Sequence, residues 1–341
     1  MNKTFLFKLL QTPSPSGSEL AIQKVVKEEM SPFVDEFITH HSYNLISVVN
    51  PKENFKVLLC GHIDEIGLMI TEIKNNGLIH LTATGNSVAY MYIGQHVSVL
   101  TKNGIVNGVI ANTLVNKENL KISEILLDIG SYTKEESQNL VSVGDYVVHS
   151  STYCELANNK LAARALDNRL GAFIILEAIK KAAKAKVGLY AATTVGEETT
   201  GRGATFAATT VKPNMAIIVD VTHATDHNDK AALSGYISLG GGPVVTIGSI
   251  INPVLFQLVE QRAKELNIKL QYEVSSERTY TDSDKVHFLE NGIPLILISI
   301  PLRYMHSAVE VCDYTDVENI ITLISDLLLN LDSNLSFDPF K

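Results

Sequence analysis

Short runs of Val, Ile and Leu alternate with longer amphipathic stretches in two separated parts of the chain, residues 1–67 and 158–341. Apolar runs of this length are typical of strands that are buried on both faces of a parallel sheet. Amphipathic stretches between such strands are typical of helices that cover the two faces. The alternation therefore predicts an α/β fold with a mostly parallel central sheet flanked by helices.

The strongest strand and helix predictions come from six segments of these two parts. The candidate strands are KVLLCGHID, VGLYAATTVGEE, NMAIIVDVT and IPLILISIPLRYMH. The candidate helices are NRLGAFIILEAIKKAAKAK and INPVLFQLVEQRAKELN.

Residues 68–157 have a different pattern, in which short β-rich pieces are separated by turn signals. Asn-Gly dipeptides begin at Asn76, Asn103 and Asn107, and this pair favours the tight turns that join antiparallel strands. Residues 93–112 are predicted to form a hairpin. We therefore predict that a small all-β, barrel-like domain is inserted into an α/β domain made of residues 1–67 and 158–341.

Composition and charge exclude several classes of partner. Hydrophobic residues make up 45% of the 341 residues, which is sufficient for a large core. The net charge of -9 argues against binding to nucleic acid, because a phosphate backbone requires a basic surface. Every apolar run is shorter than a membrane span requires, and we interpret the first residues as an amphipathic helix rather than a signal peptide.

The cysteines Cys60, Cys154 and Cys312 are odd in number and far apart in the sequence. Their spacing favours neither a disulfide framework nor a cysteine zinc site. This usage is typical of a cytoplasmic protein.

Polar side chains follow the predicted parallel strands at the point where each strand ends. Because these carboxyl ends meet at one edge of the sheet, the side chains should lie close together. An additional carboxylate, Asp167, precedes the helix that begins near residue 168. A mixed set of imidazole and carboxylate groups suits zinc, cobalt or manganese. The strand-end residues are His62, Asp64, Glu197, Glu198, Asp220 and His306.

The adjacent carboxylates Glu197 and Glu198 suggest a division of labour. Neighbouring residues at a strand end can point to opposite sides, so one can bind a cation while the other stays free as a base. Gly201 and Gly203 would let the backbone turn tightly into the next helix. His62 and Asp64, two residues apart, should share a face, so that Asp64 can accept a hydrogen bond from the ring nitrogen that does not bind metal.

Each of these residues also has an ordinary structural interpretation. Asp167 could cap a helix, His62 could be a hydrogen-bonded core residue, and the glutamate pair could lie in a solvated loop. Their convergence on one sheet edge favours the metal site, because unpaired buried charges are costly. His223 and His227 are candidates for the wall of the site. We interpret the remaining histidines in strands, loops and helices as structural: His40, His41, His80, His96, His149 and His287.

Six motifs occur in an order that resembles one enzyme family. They are GHIDEIGLM, ALDNRLGA, VGEETTGRGA, VDVTHATD, GGGP and PLRYMHSAVEV. As a set, these motifs resemble those of the cytosolic metallo-aminopeptidases known as glutamyl or tetrahedral aminopeptidases. The resemblance extends over nearly the whole chain, including residues 68–157.

The resemblance implies two divalent metal ions per subunit, with zinc as the first choice and cobalt or manganese as alternatives. It implies that Asp167 bridges the two ions and that His62 and Asp220 complete one site. Glu198 and His306 would complete the other site. The implied activity is removal of the amino-terminal residue from short peptides by a water molecule held between the metals.

The resemblance also assigns the supporting roles and the assembly. Glu197 would be the general base, and Asp64 would support His62. The inserted β domain would form dimers, and the dimers would assemble into a hollow tetrahedral dodecamer that admits short peptides.

One position departs from the family pattern. Tyr280 stands next to the Thr281-Asp282 pair, where the family has glycine, and this puts the shape of the substrate pocket in question. Arg303 and Arg278 are candidates for binding an acidic substrate side chain, although Arg303 could equally form a structural ion pair.

Three other functions compete with the aminopeptidase prediction. A metal-dependent amidase or deacylase could use the same metal scaffold. An endoglucanase-type glycoside hydrolase could use paired carboxylates, but the chain contains no tryptophan for a sugar platform. A non-catalytic scaffold protein is disfavoured because every candidate ligand and the base are present.

Overall fold

The computed structural model describes residues 1–111, 119–227, 234–338 and 340 of the chain. The helices are α1 (Lys3–Gln11), α2 (Leu20–Met30), α3 (Lys134–Leu140), α4 (Leu166–Lys181), α5 (Arg202–Val211), α6 (Pro253–Glu265), α7 (Ser283–Val286) and α8 (Tyr314–Leu329). The strands are β1 (Glu36–Thr39), β2 (Leu45–Val49), β3 (Lys56–His62), β4 (Gly67–Ile73), β5 (Ile79–Thr84), β6 (Gln95–Thr101), β7 (Gly104–Ile110), β8 (Leu126–Asp128), β9 (Tyr146–His149), β10 (Tyr153–Leu156), β11 (Lys160–Ala163), β12 (Gly188–Thr194), β13 (Met215–His223), β14 (Val244–Gly248), β15 (Gln271–Ser275), β16 (Leu295–Leu302) and β17 (Glu310–Asp313).

An eight-stranded mixed sheet forms the centre of the larger domain, with the strand order β1-β2-β12-β3-β13-β16-β14-β15. The four central strands, β12, β3, β13 and β16, are parallel to one another. The sheet becomes mixed towards its edges, where β2 and β14 run antiparallel to the parallel block. The predicted α/β fold with a mostly parallel central sheet is therefore confirmed.

The alternation of side chains along the central strands explains why helices cover both faces. On β3, Val57 and Leu59 pack into the core with α1, α2, α4, α6 and α8. Leu58 and Cys60 point to the opposite face, where α5 and α7 complete a second core. Because all four side chains are buried, the strand appears in the sequence as a continuous apolar run.

Two glycines allow α4 to approach β3 and β13 closely. A Cβ atom built on Gly61 would lie 2.5 Å from the carbonyl carbon of Gly171, and one built on Gly171 would lie 2.5 Å from the Val219 carbonyl oxygen. Both positions therefore require a residue without a side chain. This close packing brings His62, the last residue of β3, next to Asp167 at the start of α4.

The inserted β region is a closed six-stranded antiparallel barrel with the strand order β4-β5-β8-β7-β6-β9. The predicted hairpin is present as β6 and β7, which pair from Gln95–Ile110 to Thr101–Gly104. The barrel has its own apolar core, which includes Leu68, Val99 and Val147. The next strand, β10, lies outside the barrel in a three-stranded sheet with β11 and β17.

A buried ion cluster lies where the chain passes from β3 into the barrel. The carboxylate of Glu65 accepts hydrogen bonds from Arg164 and Arg169, and from the Ser14 backbone N–H at 2.8 Å. Burial alone would raise the pKa of Glu65, but the two guanidinium groups outweigh it and hold that pKa below its usual value. Glu65 is therefore ionised, and it ties the entrance of the barrel to the larger domain.

Within the part of the chain that the structure describes, every helix is too short or too polar to cross a membrane.

Candidate metal centre

The parallel strands deliver the predicted polar residues to one edge of the sheet. His62 ends β3, and its neighbour across the β12 ladder is Thr194, which precedes the glutamate pair by three residues. Asp220 lies on β13 opposite Ser299 of β16. We use the term candidate ligands for the residues His62, Asp167, Glu198, Asp220 and His306.

Asp167 lies at the centre of the candidate ligands. One carboxylate oxygen, Oδ1, lies 3.1 Å from His62 Nε2, and the other, Oδ2, lies 3.2 Å from His306 Nε2. The N-cap position of α4 is Ala165, and the backbone at Asp167 is not helical. The capping interpretation of Asp167 is therefore wrong, because its carboxylate faces two imidazoles instead of the helix N-terminus.

The candidate ligands form two overlapping groups that share Asp167. In the first group, ligand atoms of His62, Asp167 and Asp220 lie within 4.8 Å of one another. In the second group, the same limit holds for Asp167, Glu198 and His306. Each group combines an imidazole with two carboxylates, which suits a divalent transition metal.

The electrostatics of the cluster also fit cation binding. Burial and the neighbouring carboxylates together raise the pKa of Asp220 to about 8 and that of Glu197 to about 9. Burial and the charge of Asp167 raise the pKa of Glu198 well above its usual value. Carboxylates crowded in this way lack positive charge, and divalent cations would supply it.

The two histidines of the cluster, His62 and His306, offset only part of the negative charge of these carboxylates. Burial opposes the ionisation of Asp167, yet hydrogen bonds from His306 and His62 hold its pKa below the usual value. The residues present therefore fit a pair of divalent ions with Asp167 between them.

Asp64 has a broader role than its spacing suggested. The Nδ1 atom of His62 lies 3.2 Å from the Asp64 backbone carbonyl oxygen and 3.6 Å from the carboxylate oxygen Oδ1. The carboxylate itself accepts the backbone N–H groups of Glu197 at 3.1 Å and Glu198 at 3.3 Å. Asp64 thus orients the imidazole mainly through its backbone and holds the glutamate pair through its side chain.

Glu310 is a buried residue of the site that the sequence pattern did not single out. Its carboxylate accepts the backbone N–H of Asp167 at 3.1 Å and that of His306 at 2.8 Å. It begins β17, and its partner in the antiparallel pair with β11 is Ala163, which precedes α4. Glu310 lies four residues after His306 in the motif PLRYMHSAVEV, and only this spacing could have indicated it.

Replacing Glu310 with glutamine is expected to weaken metal binding by about 10- to 100-fold, the usual cost of losing a partner that orients ligands. An amide presents one oxygen and one NH₂ group, so one of the two backbone N–H donors would face another donor. Competition with a fluorescent chelator measures the affinity. An unchanged affinity would show that Glu310 does not hold Asp167 and His306 in place.

The wall of the site contains His223 and Tyr280 but not the other predicted candidates. A cavity of about 390 Å³ contacts the candidate ligands, His223 and Tyr280. His227 instead lies edge-on against Tyr304, with ring centroids 5.1 Å apart. Tyr280 has a φ of 56° and is 82% exposed. Glycine adopts this backbone conformation freely, which explains why glycine is expected at this position. The tyrosine side chain is largely exposed to solvent.

Neither of the two candidate arginines lines this cavity. Arg303 makes two hydrogen bonds of 2.8 Å to the carboxylate of Asp226, so the structural ion pair is the interpretation that the structure supports. Arg278 is exposed, and its backbone carbonyl accepts a hydrogen bond from the Ser275 hydroxyl.

Comparison with known proteins agrees with this geometry. The family model for M42 glutamyl aminopeptidases matches residues 44–323. The lysyl aminopeptidase of Pyrococcus furiosus is 30% identical over 342 residues, which cover 97% of this chain and 98% of that protein.

Two solved structures are similar over nearly their whole length. A TET aminopeptidase from a marine sediment thaumarchaeon has a TM-score of 0.92 and 29% identity, covering 97% of this chain and 96% of its own. The TET1 peptidase of Pyrococcus horikoshii has a TM-score of 0.86 and 29% identity, and the match covers 96% of this chain and 99% of that chain. That peptidase can assemble into a tetrahedron or a large octahedral shell. These matches favour an aminopeptidase over the amidase and glycosidase alternatives. The chain belongs to the M42 glutamyl aminopeptidase family and is a metal-dependent aminopeptidase.

Proposed function

We propose that this chain removes the amino-terminal residue from short peptides, with two divalent ions bound by the candidate ligands and Glu197 as the general base. The observation that carries the proposal is the position of Asp167, whose two carboxylate oxygens each face a different imidazole. A carboxylate placed in this way can serve both metal positions.

His62 and Asp220 would hold one ion, Glu198 and His306 the other, and Asp167 both. Zinc is our first assignment, and cobalt or manganese suit the same donor atoms. Such ions, when bound, lower the pKa of water and polarise a carbonyl oxygen.

Glu197 is proposed as the base because it belongs to neither of the two ligand groups, whereas its neighbour Glu198 belongs to one. Its carboxylate oxygen Oε2 lies 3.8 Å from His62 Nε2, at the edge of the cluster. With divalent ions in place, the carboxylate of Glu197 would be ionised and would take a proton from the attacking water. Glu197 would then deliver this proton to the amine that leaves.

The acidic character of the site supports action on a free amino terminus. Glu197, Glu198 and Asp220 all line the cavity, and their carboxylate oxygens would accept hydrogen bonds from the α-ammonium group of a peptide.

We further propose a homo-oligomer in which residues 68–157 form dimer contacts and dimers build a tetrahedral dodecamer. The support is the assembly named for the similar Pyrococcus horikoshii peptidase. A cytoplasmic location is proposed from the three cysteines, which are all free thiols.

Removal and return of metal tests the function directly. Protein stripped with a chelator should lose hydrolysis of aminoacyl chromogenic substrates and regain it with zinc, cobalt or manganese. N-acylated versions of the same substrates serve as controls and should remain uncleaved. Cleavage of acylated substrates alone would show an amidase or deacylase instead, and activity that persists without metal would reject the metal site.

A further inference from the structure

We propose that Glu273 forms a binding site for the basic side chain of a substrate whose amino-terminal residue is lysine or arginine. This inference rests on the aminopeptidase function proposed above and adds the chemical class of the residue removed.

Glu273 reaches the active site from a distant part of the chain. It lies in the middle of β15, the edge strand of the central sheet, and its neighbour across the parallel ladder is Thr246 of β14. Its side chain lines the same cavity as the candidate ligands. The Thr222 hydroxyl, two residues beyond Asp220 on β13, donates a hydrogen bond of 2.8 Å to one carboxylate oxygen. This bond holds the carboxylate at the cavity wall.

The charge of Glu273 is not matched by a cation. The described residues that line the cavity include neither lysine nor arginine, and the described ion pairs do not include Glu273. The other four carboxylates of the lining are already assigned to metal binding or proton transfer. Burial raises the pKa of Glu273, as expected for a carboxyl group without positive charge nearby.

Apolar residues of the cavity wall suit the stem of a basic side chain. Val221, Leu297 and Met305 line the cavity together with Glu273. Lysine and arginine commonly place their methylene groups along apolar surface and their charge at a polar group. The ammonium or guanidinium would then form a charge-assisted hydrogen bond with the Glu273 carboxylate.

The same wall disfavours the other classes of substrate residue. An acidic side chain would meet the negative charge of Glu273, and Arg303, which lies outside the cavity lining, is paired with Asp226. An apolar side chain would bury the Glu273 carboxylate without a cationic partner, and the desolvation of a charge that lacks an opposite charge is costly.

A comparison of two substrates isolates this site. Lysine and norleucine p-nitroanilides share an unbranched stem but differ in the terminal charge. We expect wild-type protein to favour lysine in kcat/KM by at least about tenfold. Glu273→Gln should reduce the lysine-to-norleucine ratio by about 10- to 100-fold, the range for a hydrogen bond to a charged group. Glu273→Met should invert the preference to norleucine, a gain that misfolding cannot produce.

Glu277→Gln is the matched control, because it makes the same charge change at an exposed position four residues away, outside the cavity lining. This variant should keep the wild-type ratio.

Two outcomes would count against the proposal, and they are distinguishable. If Glu273→Gln and Glu273→Met lower both substrates equally, the carboxylate binds the α-ammonium group or supports the fold, and the side-chain site is rejected. If metal-loaded wild-type protein cleaves no aminoacyl substrate at all, the aminopeptidase function itself is rejected, and the substrate assignment with it.

Discussion

Glutamine at position 197 is expected to lower kcat by about 10²- to 10⁴-fold, the usual contribution of a general base. The amide of Glu197→Gln keeps the shape and hydrogen-bonding reach of the carboxylate but cannot take a proton. Glu197 lies outside both ligand groups, so the metal content should stay at the wild-type value. Steady-state kinetics with the preferred aminoacyl substrate gives kcat, and elemental analysis gives the metal content.

Glu198→Gln is the matched comparison, since it makes the same change one residue further along. Glu198 belongs to the group with Asp167 and His306, so this variant should lose activity together with one metal ion. Turnover that is unchanged in Glu197→Gln would remove Glu197 from the base role. Loss of metal in Glu197→Gln would instead make it a ligand.

Asparagine at position 167 is expected to weaken both metal positions at once. The two oxygens of Asp167 face different histidines, whereas an asparagine would turn a nitrogen without a free lone pair towards one of them. Metal affinity should fall by more than about 10- to 100-fold, which is the usual effect of removing a residue that only orients the ligands. Calorimetric titration of stripped protein measures both the affinity and the number of ions bound.

Asp220→Asn provides the contrast for this experiment. Asp220 belongs only to the group with His62, so its replacement should impair one metal position and spare the other. Equal behaviour of the two variants would show that Asp167 does not bridge. Because each substitution disrupts the site, hydrolysis should fall in both variants. The number of metal ions bound per subunit is therefore the measurement that distinguishes them.

The sequence predicted the central sheet well because burial on both faces leaves a strong local signal. Strands β3, β12, β13 and β16 are continuous apolar runs, and their polar carboxyl ends could be assigned to one edge by a general rule of parallel sheets. The local signal for Asp167 was misleading, because its position before a helix resembles that of a cap. Its contacts with His62 and His306 depend on the close approach of α4 to β3.

Other parts of the site depended on contacts that a sequence does not display. Glu310 acts on backbone N–H groups, and its position follows from the pairing of β17 with β11. The segment QYEVS that contains Glu273 resembles any half-exposed edge strand, and only the order of the sheet brings it to the cavity. For Arg303, the sequence left two interpretations open, and the partner Asp226 lies 77 residues away.

The order of strands in the central sheet has a consequence for biosynthesis. The first candidate ligand, His62, emerges from the ribosome long before the last, His306, and the strand β16 that leads to His306 takes its place beside β13 only late in translation. Chains are synthesised from the N-terminus at about 5–20 residues per second, so tens of seconds at most separate the two ligands. During this interval a nascent chain lacks a complete second metal position. The candidate metal centre can therefore be completed only after most of the chain has been synthesised.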